Sequence, residues 1–286
     1  MDSDKLRGDF LLDFDNHTFC NHGSYGAPPR RVFEYRQHLL AKIESDVEKW
    51  DRFKLCEEYK RSCRRAAQFI DADESSVVLV RNTTSGINTI MQSLGPKITG
   101  IVVFSHVYAA MMNTSKTHEA KFKCPVFVVN INLPIKSASS VIEAFEKVVR
   151  DNKEINFALM DHISSASAIV FPIKELIDFC ADNNIMSCID GAHAPGQLDL
   201  SIRNLQPDFY VGNLHKWCYA MRGTALVYIS KKFVDEIRPL AASHNCDKDL
   251  QSDFYDQGTD DITNYLLVEE ALAYYEEIGG LAALKQ

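Results

Sequence analysis

The sequence predicts a doubly wound α/β fold on a mostly parallel seven-stranded sheet, and three observations carry that prediction. Seven short apolar runs lack the polar alternation of half-exposed strands: VVLV at 77–80, IVVF at 101–104, PVFVV at 125–129, FALM at 157–160, IMSCI at 185–189, DFYV at 208–211 and TALVYI at 224–229. Amphipathic stretches at helical spacing separate most of them, which is the alternation of a sheet covered on both faces. The length of 286 residues with 46% hydrophobic content suffices to bury one large core with part of a second domain.

Taken in order, the start MDSDKLRGDFLLDF has no long apolar stretch behind a basic one, so no secretory leader is expected and a cytoplasmic location is. Pro28 and Pro29 open a charged amphipathic stretch running to Asp71, which reads as one long or two broken helices. RNTTSGIN follows the first apolar run and leads into a helix over Ser85–Leu94. Backbone N–H groups and the positive end of that helix suit an anion such as a phosphate beside Thr84 and Ser85, although Thr and Ser are also ordinary caps. In doubly wound sheets, ligands bind beyond the carboxyl ends of strands. Asp161 follows FALM there, Asp190 follows IMSCI, and Lys216 in VGNLHKW follows the sixth run.

A lysine amine able to form a Schiff base, with a buried carboxylate to keep a pyridine nitrogen protonated, is the pairing that pyridoxal 5'-phosphate (PLP) chemistry requires. Lys216 and Asp190 supply it, and His193, three residues after Asp190, falls within reach of the ring or its phenolate oxygen. The competing readings are a turn-capping aspartate and a solvated lysine; His215 and Trp217 beside Lys216 favour a lined pocket. A divalent cation held by Asp161, His162, Asp190 and His193 would leave Lys216 without a role and lacks any HExxH spacing, so no metal is expected. The net charge of −8 carries no basic stripe, which argues against nucleic acid. No run approaches the roughly 20 apolar residues of a membrane span. Eight cysteines without CxxC pairs suggest neither a zinc ribbon nor a disulfide framework. A small-molecule partner remains.

NHGSYGAPP, RNTTSGIN, DHISS, DGAHAPGQLDL, NLHKW and GTDDIT, in that order from about Asp15 onward, resemble class V of the aspartate-aminotransferase superfamily, the fold type I PLP enzymes. Within it the resemblance is to the isopenicillin N epimerase-like and hercynylcysteine sulfoxide lyase-like branch, which borders on the cysteine desulfurases. The resemblance implies that Lys216 binds the cofactor aldehyde and removes the substrate α-proton, that Asp190 pairs with the pyridinium nitrogen, and that His193 lies near the phenolate oxygen. It implies a phosphate cup of Thr84, the Ser85 N–H, Asn213 and His215, with Tyr108 of HVYAA stacked on the pyridine and Ser165 on the phenolate side. Asn21, Gly23 and Ser24 would belong to a loop over the substrate, and Gly258 with Thr259 would reach the phosphate of the other subunit of a homodimer. The substrate so implied is an amino acid, a sulfur-containing one among those considered. Lyase, epimerase and transaminase outcomes stay open, because Lys216 and Asp190 serve all three.

The same resemblance divides the chain into an N-terminal arm with the substrate-side loop (1–30), a PLP-binding large domain (31–240), and a connecting segment and helix (241–286). Family members continue past EEIGGLAALKQ into a small domain carrying an arginine that clamps the substrate carboxylate. The expectation is that this domain is missing, and that Arg203, Arg222, Arg238 and Cys246 do not replace its arginine and nucleophilic cysteine. A cofactor-binding or dimerising chain without turnover is the alternative function.

Overall fold

The seven apolar runs all become strands of one sheet in the computed structural model, which describes residues 3–244 and 248–284. The strands are β1 (Val77–Val80), β2 (Ile101–Phe104), β3 (Val126–Val129), β4 (Phe157–Asp161), β5 (Met186–Asp190), β6 (Phe209–Asn213) and β7 (Ala225–Ile229), in the spatial order β1-β7-β6-β5-β4-β2-β3. β7 pairs antiparallel with both neighbours, and the remaining pairings are parallel. Strands buried on both faces need no polar alternation, and β1, β2, β4 and β6 are buried along their whole length. β3 begins one residue after Pro125, which has no N–H for the ladder; its carbonyl accepts the Ile101 N–H at 2.9 Å.

The stretch after Pro29 is three helices, Arg30–Glu44, Val47–Phe53 and Leu55–Phe69, where one or two were expected. Asp46 sets the first break by accepting the Lys49 N–H at 3.4 Å as the N-cap of the second helix. The Leu55–Phe69 helix covers edge strand β1 and satisfies its backbone through a side chain. The buried Tyr59 hydroxyl donates to the Leu79 carbonyl at 2.8 Å and accepts the Leu79 N–H at 2.9 Å. The helix Val268–Glu277 packs on this same helix, and its Tyr275 hydroxyl donates to the Gly196 carbonyl at 2.9 Å. Among the described residues no helix is long and apolar enough to cross a membrane.

Parallel topology puts the carboxyl ends of β4, β5 and β6 side by side. The last residues of those strands are Asp161, Asp190 and Asn213, and Asp161 and Asp190 are direct register partners.

Candidate active site

A cavity of about 160 Å³ opens at these strand ends, bounded by the helix Thr83–Leu94, the turn after β5, the loop after β6 and the N-terminal arm. Of the residues singled out in the sequence, Ser24, Thr84, Tyr108, Asp161, Ser165, Asp190, His193, Asn213, His215 and Lys216 all line it. Tyr108, 48% exposed, stands at its mouth.

Two loops face each other across the site and carry its reactive groups. Lys216 Nζ lies 3.0 Å from His193 Nε2, and the Trp217 indole N–H donates to His193 Nδ1 at 3.4 Å. The approach of these loops depends on Gly196, whose φ is +86° and where a Cβ would fall 2.6 Å from the Trp217 carbonyl oxygen. The arm closes on the same loop at Gly26 (φ +66°), where a Cβ would meet the His215 carbonyl oxygen at 1.7 Å. Beside it, His22 Nε2 donates to the Lys216 carbonyl at 2.8 Å, which fixes the backbone of the lysine.

Burial governs the ionisation of the site. Lys216 is pulled below its ordinary pKa by desolvation, against the attraction of Asp190. His193 and His215 are each pushed down to about 4, mainly by burial, and so are neutral. The His215 Nδ1–H donates to the Thr224 carbonyl at 2.9 Å, leaving Nε2 as an acceptor. Asp161 and Asp190 are both raised by burial, and Asp161 further by the charge of Asp190. Asp190 receives the Ala192 N–H at 3.0 Å, whereas Asp161 Oδ2 is buried without a hydrogen-bond partner among the described residues.

The helix Thr83–Leu94 starts two residues earlier than expected, because Asn82 is its N-cap. Asn82 Oδ1 accepts the Ser85 N–H at 2.8 Å, and the Ser85 hydroxyl donates back to the Asn82 carbonyl at 2.9 Å. The Thr83 N–H is held by Asn213 Oδ1 at 3.0 Å. The Ser85 N–H assigned to a phosphate is therefore engaged within the helix end. Thr84, the residue between, has no acceptor for its N–H among the described residues, and the buried Thr83 hydroxyl has no partner either.

Other sequence-selected residues fall outside the cavity lining. Asn21 and Gly23 belong to the arm, and Gly23 packs on the Trp217 ring. Gly258 and Thr259 border a different surface cavity, with Cys56 and Tyr255. Arg203 pairs with Asp71 at 3.3 Å, Arg222 Nη1 donates to the Gly26 carbonyl at 3.3 Å, and Cys246 lies outside the described residues. Asn82, Thr83, His22 and Trp217 carry site geometry that motif reading did not assign. His162, weighed as a metal ligand, is turned to the Tyr210 hydroxyl at 2.8 Å.

The residues present fit PLP. A lysine amine whose pKa burial depresses, a buried carboxylate steadied by a backbone N–H, and an unmatched amide at a helix N-terminus are the groups that its aldehyde, ring nitrogen and phosphate would engage.

Comparison with known proteins bears on the family and the fold. The family profile described as Aminotransferase class-V matches residues 28–286. Hercynylcysteine sulfoxide lyase of Schizosaccharomyces pombe is 24% identical over 99% of this chain and 74% of its own. Putative L-cysteine desulfhydrase 1 of Oryza sativa subsp. japonica is 23% identical over 96% of this chain, which spans 61% of that protein. Among solved structures, a C-DES mutant with glycine covalently linked to its PLP cofactor superposes with a TM-score of 0.80 at 16% identity, covering 92% of this chain and 72% of that one.

Proposed function

The chain belongs to the class-V aminotransferase family, and on that footing we propose that it is a PLP-dependent enzyme acting at the α-carbon of an amino acid, with C–S lyase chemistry on a sulfur-containing amino acid as its outcome. The observation that carries the reading is the convergence of the Lys216 amine, the Asp190 carboxylate and the Thr84 amide on one cavity. Relatives named hercynylcysteine sulfoxide lyase and putative L-cysteine desulfhydrase favour the lyase outcome over epimerisation or transamination.

When bound, PLP supplies an electron sink for negative charge developing at the substrate α-carbon. The chain's own residues do the rest. Asp190, whose anion the Ala192 N–H favours against the upward pull of burial, would offer the charge that keeps a ring nitrogen protonated. The Lys216 amine, drawn toward its neutral form by burial, would serve both as a nucleophile toward an aldehyde and as a base for the α-proton, and His193 fixes the direction of its Nζ. The Thr84 amide and the dipole of the helix behind it hold a phosphate, and the Asn213 side chain locks the helix start in place. The Tyr108 ring at the mouth would be the group available to pack on the aromatic face of the cofactor. A homodimer is part of the proposal: Gly258 and Thr259 border a cavity separate from that of Lys216, so they would serve the neighbouring subunit's site.

The test is the visible spectrum of the full chain with added PLP, wild type beside Lys216→Ala, followed by borohydride. A band that requires Lys216 and becomes covalently fixed on its peptide is expected. With it, Cβ–S cleavage, read as pyruvate and ammonia together with sulfide from cysteine, a persulfide from cystine or a sulfenic acid from a cysteine sulfoxide, is expected to exceed α-proton exchange without cleavage. A folded protein with no lysine-dependent band refutes cofactor binding, and racemisation without pyruvate release refutes the lyase outcome.

A further inference from the structure

We propose that Trp217 is a positioning residue that selects the tautomer of His193 and so holds the Lys216 amine in its neutral, nucleophilic form. The inference rests on the reading of Lys216 as the reactive amine and adds the device that prepares it.

The argument is one of donors and acceptors. An indole N–H can only donate, so its contact with His193 Nδ1 at 3.4 Å makes Nδ1 the acceptor. A neutral imidazole with a bare Nδ1 carries its proton on Nε2. That Nε2–H points at Lys216 Nζ, 3.0 Å away, and requires a lone pair there. An ammonium has three donors and no acceptor, so only the neutral amine completes the chain Trp217→His193→Lys216. Protonating Lys216 would force the imidazole proton onto Nδ1, and two N–H donors would then face each other at the Trp217 contact.

The first two members of this chain are pinned. The Trp217 ring is packed against Gly23, where a Cβ would meet it at 2.7 Å, and its backbone is in close contact with Gly196. The His193 carbonyl accepts from Gln197 Nε2 at 2.7 Å. The other ionisable groups that face the amine's cavity include Asp190 at the end of β5, Asp161 at the end of β4, His215 on the same loop and Tyr108 at the mouth, while His22 on the arm meets the lysine's carbonyl and Arg222 acts on His215. Asp190 favours the ammonium. The tautomer lock opposes it, together with burial.

The test uses the cofactor-free full chain, wild type and Trp217→Phe, with two readouts. Long-range ¹⁵N–¹H NMR on ¹⁵N-histidine protein is expected to show His193 protonated on Nε2 in wild type and shifted toward Nδ1 in Trp217→Phe. Trace acetic anhydride labelling, quantified on the Lys216 peptide across pH, is expected to show a midpoint raised by about half to one unit in the variant, a three- to tenfold slower reaction below the midpoint. In a His193→Gln background, Trp217→Phe is expected to change nothing further. A wild-type His193 protonated on Nδ1, or an unchanged Lys216 profile in Trp217→Phe, overturns the proposal. If Trp217→Phe fails to fold, the wild-type tautomer alone decides. A tryptophan-dependent profile with no Lys216-dependent PLP band would keep this inference and sink the functional reading; the reverse pattern would do the opposite.

Discussion

Gly26→Ala is expected to release the N-terminal arm while leaving the sheet folded. Gly26 has φ 66° and ψ 162°, a region in which a residue with a side chain is strained by about 1–3 kcal/mol. The added Cβ would also lie 1.7 Å from the His215 carbonyl oxygen, where real Cβ atoms stay beyond 3.0 Å, so the two backbones must part by more than about 1 Å. Against this stands the docking energy of the arm. The His22 bond to the Lys216 carbonyl contributes about 1 kcal/mol. The His22 ring contacts with Trp217 and Tyr219, at 5.6 and 5.2 Å, contribute roughly 0.5–1 kcal/mol each. The two sides are comparable, so the arm lets go before the core does. Urea unfolding should show a loss limited to about 2–3 kcal/mol, with new protease cleavage around residues 20–25 and faster acylation of Lys216. A loss above about 5 kcal/mol with collapse of the sheet would refute the reasoning by showing that the arm is part of the core. Unchanged protease resistance would refute it from the other side.

Two further substitutions test the electrostatics and the edge of the sheet. Burial, and then the charge of Asp190, push Asp161 up to about 8, so between about pH 4 and 8 the folded state binds a proton that the unfolded state has released, and stability falls as pH rises. Asp161→Asn removes that dependence; its unfolding free energy in urea should gain on wild type from pH 5 to pH 8, by up to about 1.4 kcal/mol per pH unit, and a pH-independent difference would contradict the assignment. Tyr59→Phe strips the hydroxyl that satisfies both the Leu79 N–H and carbonyl. A loss of about 2–4 kcal/mol is expected in chemical denaturation, and one under about 0.5 kcal/mol would mean that the backbone of β1 finds other partners.

The strands were legible because a chain segment buried on both faces has nothing to gain from polar residues, and the runs IVVF and FALM say so directly. Lys216, Asp190 and His193 were legible for a related reason: polar residues directly after such runs sit where parallel strands end. The phosphate side was less so. Ser85 had the right chemistry and the right helix, but whether its amide faces a ligand depends on Asn82, whose side chain had no visible role in the sequence and in fact caps that amide. The break at Asp46 was hidden because the amphipathic spacing continues through it. Trp217 was noted only as a neighbour, since the contact of its indole with His193 is set by two loops that meet in space across 24 positions of sequence.

Asp161 and Asp190 show why chemistry at such a site cannot be assigned by motif position alone. They occupy equivalent last positions of neighbouring parallel strands, face the same cavity, and are register partners. Two carboxylates so placed cannot both be charged at low cost in a site this buried, so the surroundings must choose one. Asp190 receives the Ala192 N–H, which favours its anion. Asp161 has backbone support from Tyr108, but its Oδ2 is bare and the Asp190 charge opposes its ionisation. The charge therefore resides on Asp190 and the proton on Asp161. The choice is made by a backbone amide two residues beyond the strand, in the turn that also brings His193 to the lysine, so one turn sets both the anion and the base.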